Sequence, residues 1–195
     1  MLLFRVSFTG ELGFEVNVPA ASGLAVWRAI HAAGAPYGIT PYGTEAMHVL
    51  RAEKGYVIVG QETDGTITPY DLGMDWIVGK QKPDFIGKRS LSRSDTARAD
   101  RKHLVGLLTD APGEVLAEGG QIVAELLPRP PMTMIGHVTS SYWSPNLGRS
   151  IALALVKNGR NRLGDTLYVP LADRTIAAKV TEPRFWDLEG KRLDG

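Results

Sequence analysis

Hydrophobic and polar positions alternate from the first residues of the chain. Leu3 to Phe8 sets Phe4, Val6 and Phe8 against Arg5, Ser7 and Thr9, a period of two that predicts a strand with one buried face. Phe14 to Val18 repeats it, with Phe14, Val16 and Val18 opposite Glu15 and Asn17. Between them, Thr9-Gly10-Glu11-Leu12-Gly13 carries the glycines of a hairpin loop longer than two residues. The period then becomes helical. Ser22 can cap a helix running to about Ala33, with Leu24, Trp27, Ile30 and His31 along one side and Gly34 as the stop. A second helix is predicted from about Pro41 to Lys54, closed by Gly55. Its apolar stripe of Tyr42, Ala46, Val49 and Leu50 also holds Glu53. An unpaired buried carboxylate is costly, so an internal ion pair is expected there, pinning the helix.

Tyr56 to Val59 reads as a short strand, followed by a turn at Asp64-Gly65. Asp84 to Leu91 is expected to open a short helix within a polar junction. From Leu104 the texture is β. The runs 104–108, 121–124, 136–140, 151–156, 166–169 and 176–180 are short, apolar and separated by Gly, Pro, Asn and Asp. Six such runs predict a small antiparallel barrel or sandwich. Pro128, Pro130 and Pro131 cannot lie in a central strand and mark a loop or edge. The expected class is α+β: a partial α/β module at 1–85, a linker at 86–100 and a small antiparallel β-barrel at 101–195. The strand starting almost at once predicts a truncated first domain.

Charge and composition then narrow the partners. The chain has 22 basic and 21 acidic side chains. Its densest basic stretch, Lys80 to Arg101, is broken by Asp84, Asp95 and Asp100, which fits a solvated linker and no nucleic-acid partner. There is no cysteine, which excludes a disulfide scaffold, a thiolate nucleophile and Cys-ligated metal, and suits a reducing cytoplasm. No apolar run approaches the ~20 residues of a membrane span, so no membrane partner is expected, and no signal-peptide pattern appears.

Catalytic signatures are sparse. His31, His48, His103 and His137 show no metal-ligand spacing or triad context, so neither a metal nor a catalytic residue is expected. GxGxxG and P-loop patterns are absent. The four tryptophans read as core or interface. Glu15 admits two readings. It lies on an outward polar face, or that face lines a cavity and its carboxylate accepts two parallel N–H bonds from a planar donor pair. Glu11, near the loop tip, is expected to be exposed or to support the turn.

Several segments together resemble the C-terminal half of the glycine-cleavage T-protein superfamily. They are TGELGFEV at 9–16, PYGITPYGTEAMHVLRAEKG at 36–55, TPYDLGMDWIV at 68–78, DFIGKRSL at 84–91, GHVTSS at 136–141, SPNLGRSIALALV at 144–156 and FWDLEGKRL at 185–193. Within it the chain is most similar to the folate-binding C-terminal region of heterotetrameric sarcosine oxidase alpha subunits, with dimethylglycine dehydrogenases next. Met47 stands where T-proteins carry an arginine resembling a folate contact, and Phe8 where they show tyrosine. The departure at Met47 favours the sarcosine oxidase branch, and the ending Trp186-Asp-Leu-Glu-Gly190 points the same way. The resemblance implies that Glu15 reads the pterin of tetrahydrofolate, and it assigns Tyr56, Glu11, Phe8 and Met47 to the same site. Glu11 belongs to the turn motif, and Arg51 and Glu53 to the helix-fixing Arg-x-Glu. It further implies other sarcosine oxidase-type subunits as partners, with FAD or FMN and NAD confined to missing parts or those subunits. The family's catalytic aspartate lies in a part with no match here, so a fragment inactive alone is expected. Two alternatives remain: a piece of a glycine-cleavage aminomethyltransferase, or a non-catalytic subunit-docking domain.

Overall fold

The computed structural model describes residues 1–195. In chain order they form strands β1 (Leu2–Arg5) and β2 (Phe14–Asn17), helices α1 (Gly23–Gly34) and α2 (Thr44–Glu53), and strands β3 (Lys102–Thr109), β4 (Gln121–Val123), β5 (Met134–Ser144), β6 (Arg149–Lys157), β7 (Thr166–Pro170) and β8 (Thr175–Thr181). Two compact units result: residues 1–51 with 187–195, and residues 52–186. The compact units part within α2.

The six late apolar runs are six antiparallel strands closed in the order β3-β6-β5-β4-β7-β8, so the expected barrel is present. Alternation along β6 explains its unbroken apolar run. Ala152, Ala154 and Val156 enter the barrel interior with Val105, Leu107, Ile122 and Val180. Ile151, Leu153 and Leu155 face outward, yet are equally buried beneath Ala52, Val57, Ile67, Leu72 and Phe185. A strand covered on both sides loses the polar half of its pattern. This second layer makes residues 52–72 part of the barrel unit rather than of the first. The three prolines fall in the connection between β4 and β5.

In the first unit β1 and β2 pair antiparallel, with Leu2 opposite Asn17, Leu3 opposite Val16, Phe4 opposite Glu15 and Arg5 opposite Phe14. β1 stops at Arg5, short of the expected Phe8, because the chain turns: the Ser7 hydroxyl accepts the Gly10 N–H at 2.9 Å, and Gly10 takes a left-handed φ of 80° that glycine adopts without steric cost. Ser22 precedes α1, but its side chain makes no capping bond. A 3-10 turn over Ala20–Ser22 gives it a helical φ/ψ of −97°/−9°, whereas a capping serine needs extended backbone. α2 begins at Thr44 rather than Pro41, with Gly43, a poor helix former, ahead of it.

Residues 56–59 form no strand, only a single bridge between Val59 and Thr63. The buried Glu62 carboxylate takes the Ile58 N–H at 2.7 Å, and the Ile58 carbonyl accepts both Gln61 and Glu62 N–H groups at 3.1 Å. Those bonds close a turn and occupy the groups a ladder would use. The helix expected at 84–91 is a 3-10 turn at Lys88–Ser92. No helix is long and apolar enough to cross a membrane.

Candidate functional site

The hairpin loop is held by the far end of the chain. Leu12 N–H bonds the Arg192 carbonyl at 2.8 Å, and Arg192 Nε donates to Glu11 Oε1 at 2.6 Å. Arg5 reaches the Leu193 carbonyl at 3.2 Å. The 3-10 turn Lys191–Leu193 that presents these groups is capped by Asp187, whose carboxylate accepts the Lys191 and Arg192 N–H groups at 3.1 and 3.2 Å. Glu11 thus supports the turn, one of the two roles its position allowed, and its carboxylate is engaged with an arginine rather than open.

Beside the hairpin lies an apolar concavity of about 530 Å³, lined by Phe14, Trp27, Ile30, Tyr42 and Met47 among others. His31, Thr40 and Thr44 supply its polar atoms. Of the expected site residues, Met47 lines this hollow. Glu15 is exposed on β2, one position after Phe14, and shares its ribbon face with Phe4, its cross-strand partner. Phe8 is half-buried beyond the end of β1. Tyr56 is half-buried within the barrel unit.

The helical stripe of α1 does not pack into a core. Leu24, Trp27 and Ile30 are 62, 58 and 45% exposed, and α1 contains no buried residue. Its periodicity marks an apolar face without showing what meets it. Of the two readings open for the tryptophans, exposure favours the interface for Trp27 and Trp76, the latter 76% exposed. Tyr42, Ile39 and Thr44 complete the hollow, and only the fold of the 39–44 loop brings them there.

Three buried carboxylates in the barrel unit account for much of the motif content. Glu53 accepts the Ser144 hydroxyl at 2.5 Å and the Asn146 amide at 2.8 Å. Its main-chain carbonyl takes the Phe185 and Trp186 N–H groups at 2.8 and 3.0 Å. Helix-fixing therefore stands, but neutral donors from the Ser-Pro-Asn turn hold the carboxylate where an ion pair was expected. Glu62 accepts the Ser140 hydroxyl, which a bulge between Val138 and Ser140 re-aims. Asp71 meets Arg101 through two parallel bonds of 2.8 and 2.7 Å and also accepts Thr68 N–H at 2.7 Å. Burial raises the Asp71 pKa, but the Arg101 and Thr68 bonds outweigh it and leave it below the ordinary carboxylate value. Burial, then Arg160, holds His103 below its usual value; burial, then Lys102, does the same for His137.

This combination of a ribbon-and-helix unit with a closed six-stranded barrel has counterparts among known proteins. Residues 1–82 match the GCVT N-terminal domain and residues 102–187 the glycine cleavage T-protein C-terminal barrel domain. The chain belongs to the glycine-cleavage T-protein family. Within it, the chain is 53% identical to the sarcosine oxidase subunit alpha of Corynebacterium sp. (strain U-96), over 98% of this chain and 20% of that protein. It is 35% identical to the aminomethyltransferase of Synechococcus elongatus, over 93% of this chain and 46% of that one. The chain thus spans about a fifth of the sarcosine oxidase subunits and about half of the aminomethyltransferases it matches. The crystal structure of glycine cleavage system aminomethyltransferase T from Bartonella henselae superposes with a TM-score of 0.81 over 95% of this chain and 50% of that one. At 23% identity, that likeness is one of fold.

Proposed function

We propose that the chain is the folate-binding part of a sarcosine oxidase alpha-type subunit. The observation that carries this reading is the 53% identity to a sarcosine oxidase subunit alpha across nearly all of the chain. Tetrahydrofolate supplies the nitrogen that accepts a one-carbon unit when an N-methyl amine is oxidised. Flavin and NAD belong to parts of the assembly outside these residues, other subunits are the partners, and the cytoplasm is the compartment.

The chemistry of the residues fits a pterin. Glu15 offers two acceptor oxygens on a short strand, and a carboxylate matches a ring N–H beside an exocyclic amine through parallel, charge-assisted bonds. Phe14 and Met47 line an apolar hollow on the side of the ribbon opposite Glu15. Glu11, bound to Arg192, holds the hairpin from which Glu15 projects. Phe8 and Tyr56 complete the proposed folate set. The role of these side chains is to orient the acceptor; held geometry supplies much of such a step.

In the full-length assembly, Glu15→Gln is expected to weaken tetrahydrofolate binding by about 1.5–3 kcal/mol, the range for a hydrogen bond to a charged group. Titration calorimetry reads this directly, and an unchanged affinity would remove Glu15 from the site. The 35% identity to an aminomethyltransferase favours a second reading, transfer from a carrier-bound aminomethyl group. Folate-dependent release of that group, with no turnover of N-methyl amines, would select it.

A further inference from the structure

We infer that the 3-10 turn Lys191–Leu193 sets the register of the β1–β2 ribbon, and so decides which face Glu15 occupies, with Asp187 as the positioning residue. The inference rests on the reading of Glu15 as the group that meets the pterin. Every residue of both strands is exposed, and a two-stranded ribbon is at best marginal on its own. Register is weakly specified where neither face of a strand is buried. A tight two-residue turn fixes it from within, but here the connection runs over residues 6–13. A slip of one residue in β2 carries Glu15 to the side that Phe14 now holds, toward the apolar hollow. A contact from outside the ribbon has to choose between the two.

The turn addresses both strands. The Arg192 carbonyl accepts the Leu12 N–H at 2.8 Å, just ahead of β2. The Leu193 carbonyl accepts Arg5 Nη2 at 3.2 Å, and Arg5 ends β1 directly opposite Phe14. Asp194 adds a longer contact to Arg5 at 3.5 Å. Carbonyls of consecutive residues thus hold the loop end of each strand, which fixes one strand against the other. They can do so only if the turn itself is fixed. The Asp187 carboxylate fixes it, Oδ1 accepting the Lys191 N–H at 3.1 Å and Oδ2 the Arg192 N–H at 3.2 Å. Asp187 adopts a left-handed φ of 46° to do this, a conformation that Asp and Asn tolerate better than other side chains. The Arg192–Glu11 pair is largely exposed and adds little, so the main-chain bonds, and hence the cap behind them, carry the register.

Titration calorimetry of the full-length assembly with tetrahydrofolate tests this through a double-mutant cycle. Asp187→Gly removes the carboxylate while leaving the left-handed backbone unstrained. It is expected to weaken tetrahydrofolate binding about 3- to 10-fold, the order by which losing a cap thins the competent conformer. Asp187→Asn keeps an acceptor and tolerates the same φ, so it should stay within about 2-fold of the parent. Amide exchange at Leu12 should quicken in the glycine variant and not in the asparagine one. In a Glu15→Gln background the effect of Asp187→Gly should largely vanish, because the group it positions is gone. A glycine variant with the parent's affinity, an asparagine variant as weak as glycine, or an undiminished effect in the Glu15→Gln background would each overturn the inference and leave Glu15 in the site. If Glu15→Gln alone changes nothing, the folate reading of Glu15 falls and this inference falls with it.

Discussion

At the scale of single residues, the backbone leaves least freedom at Gly55. It has a φ of 70°, and a Cβ there would lie 2.2 Å from the Pro183 carbonyl oxygen. The left-handed conformation alone costs a non-glycine residue about 1–3 kcal/mol, and the clash adds to it. Gly55→Ala is therefore expected to lower the barrel's unfolding free energy, read by chemical denaturation, by more than that range, and a variant as stable as the parent would refute the contact. The sequence identified Gly55 as the helix stop, because a left-handed residue there is a local property. It did not reveal Pro183 as the neighbour, 128 positions away. Glu53 divides the same way: its place on the apolar stripe was readable, but its donors, Ser144 and Asn146, come from a turn between two barrel strands.

At the scale of elements, the β1–β2 hairpin and the chain's last nine residues form one clasp. Two kinds of contact hold it, and they should separate experimentally. The Arg192–Glu11 pair is largely exposed, and such pairs contribute about 0–1 kcal/mol. The Leu12 N–H bond uses the Arg192 main chain, which Asp187 positions from below. Arg192→Ala should therefore leave amide exchange at Leu12 nearly as slow as in the parent. Deleting Asp187 to Gly195 should accelerate it by an order of magnitude or more; equal rates in both variants would show the side-chain pair to be the true latch. Hairpin and helices were legible here because their periods are local. The expected strand at 56–59 failed because Glu62, three to six residues on, captures the Ile58 N–H, a competition that alternation does not encode.

At the scale of the molecule, the barrel unit carries its ionisable groups where acid must disturb it. His103 and His137 have folded-state pKa values below the ordinary 6.5, and Asp71 below 3.8. A depressed pKa means the unfolded state binds the proton more readily, so stability is lost as pH falls. The barrel's denaturation midpoint should be flat above pH 6.5, decline as the pH drops below it, and fall again below 3.8 as Asp71 releases Arg101. The second decline should be smaller in Asp71→Asn but not absent, because Asp64 and Asp100 are also held below the ordinary carboxylate value by their hydrogen-bond partners. A midpoint that rises on acidification would contradict the sign assigned to these groups.

The sequence by itself determined the hairpin, the two helices, the six late strands, the α+β class and the family to which they belong. Each follows from periodicities of two and 3.6 residues, or from short motifs whose spacing survives without tertiary context. Only the tertiary structure decided which apolar stripes are buried. Both β6 and α1 carry apolar stripes, yet β6 is sealed on both faces and α1 has no buried residue. Burial depends on what the rest of the chain lays against an element, and a one-dimensional pattern reports the face without its partner.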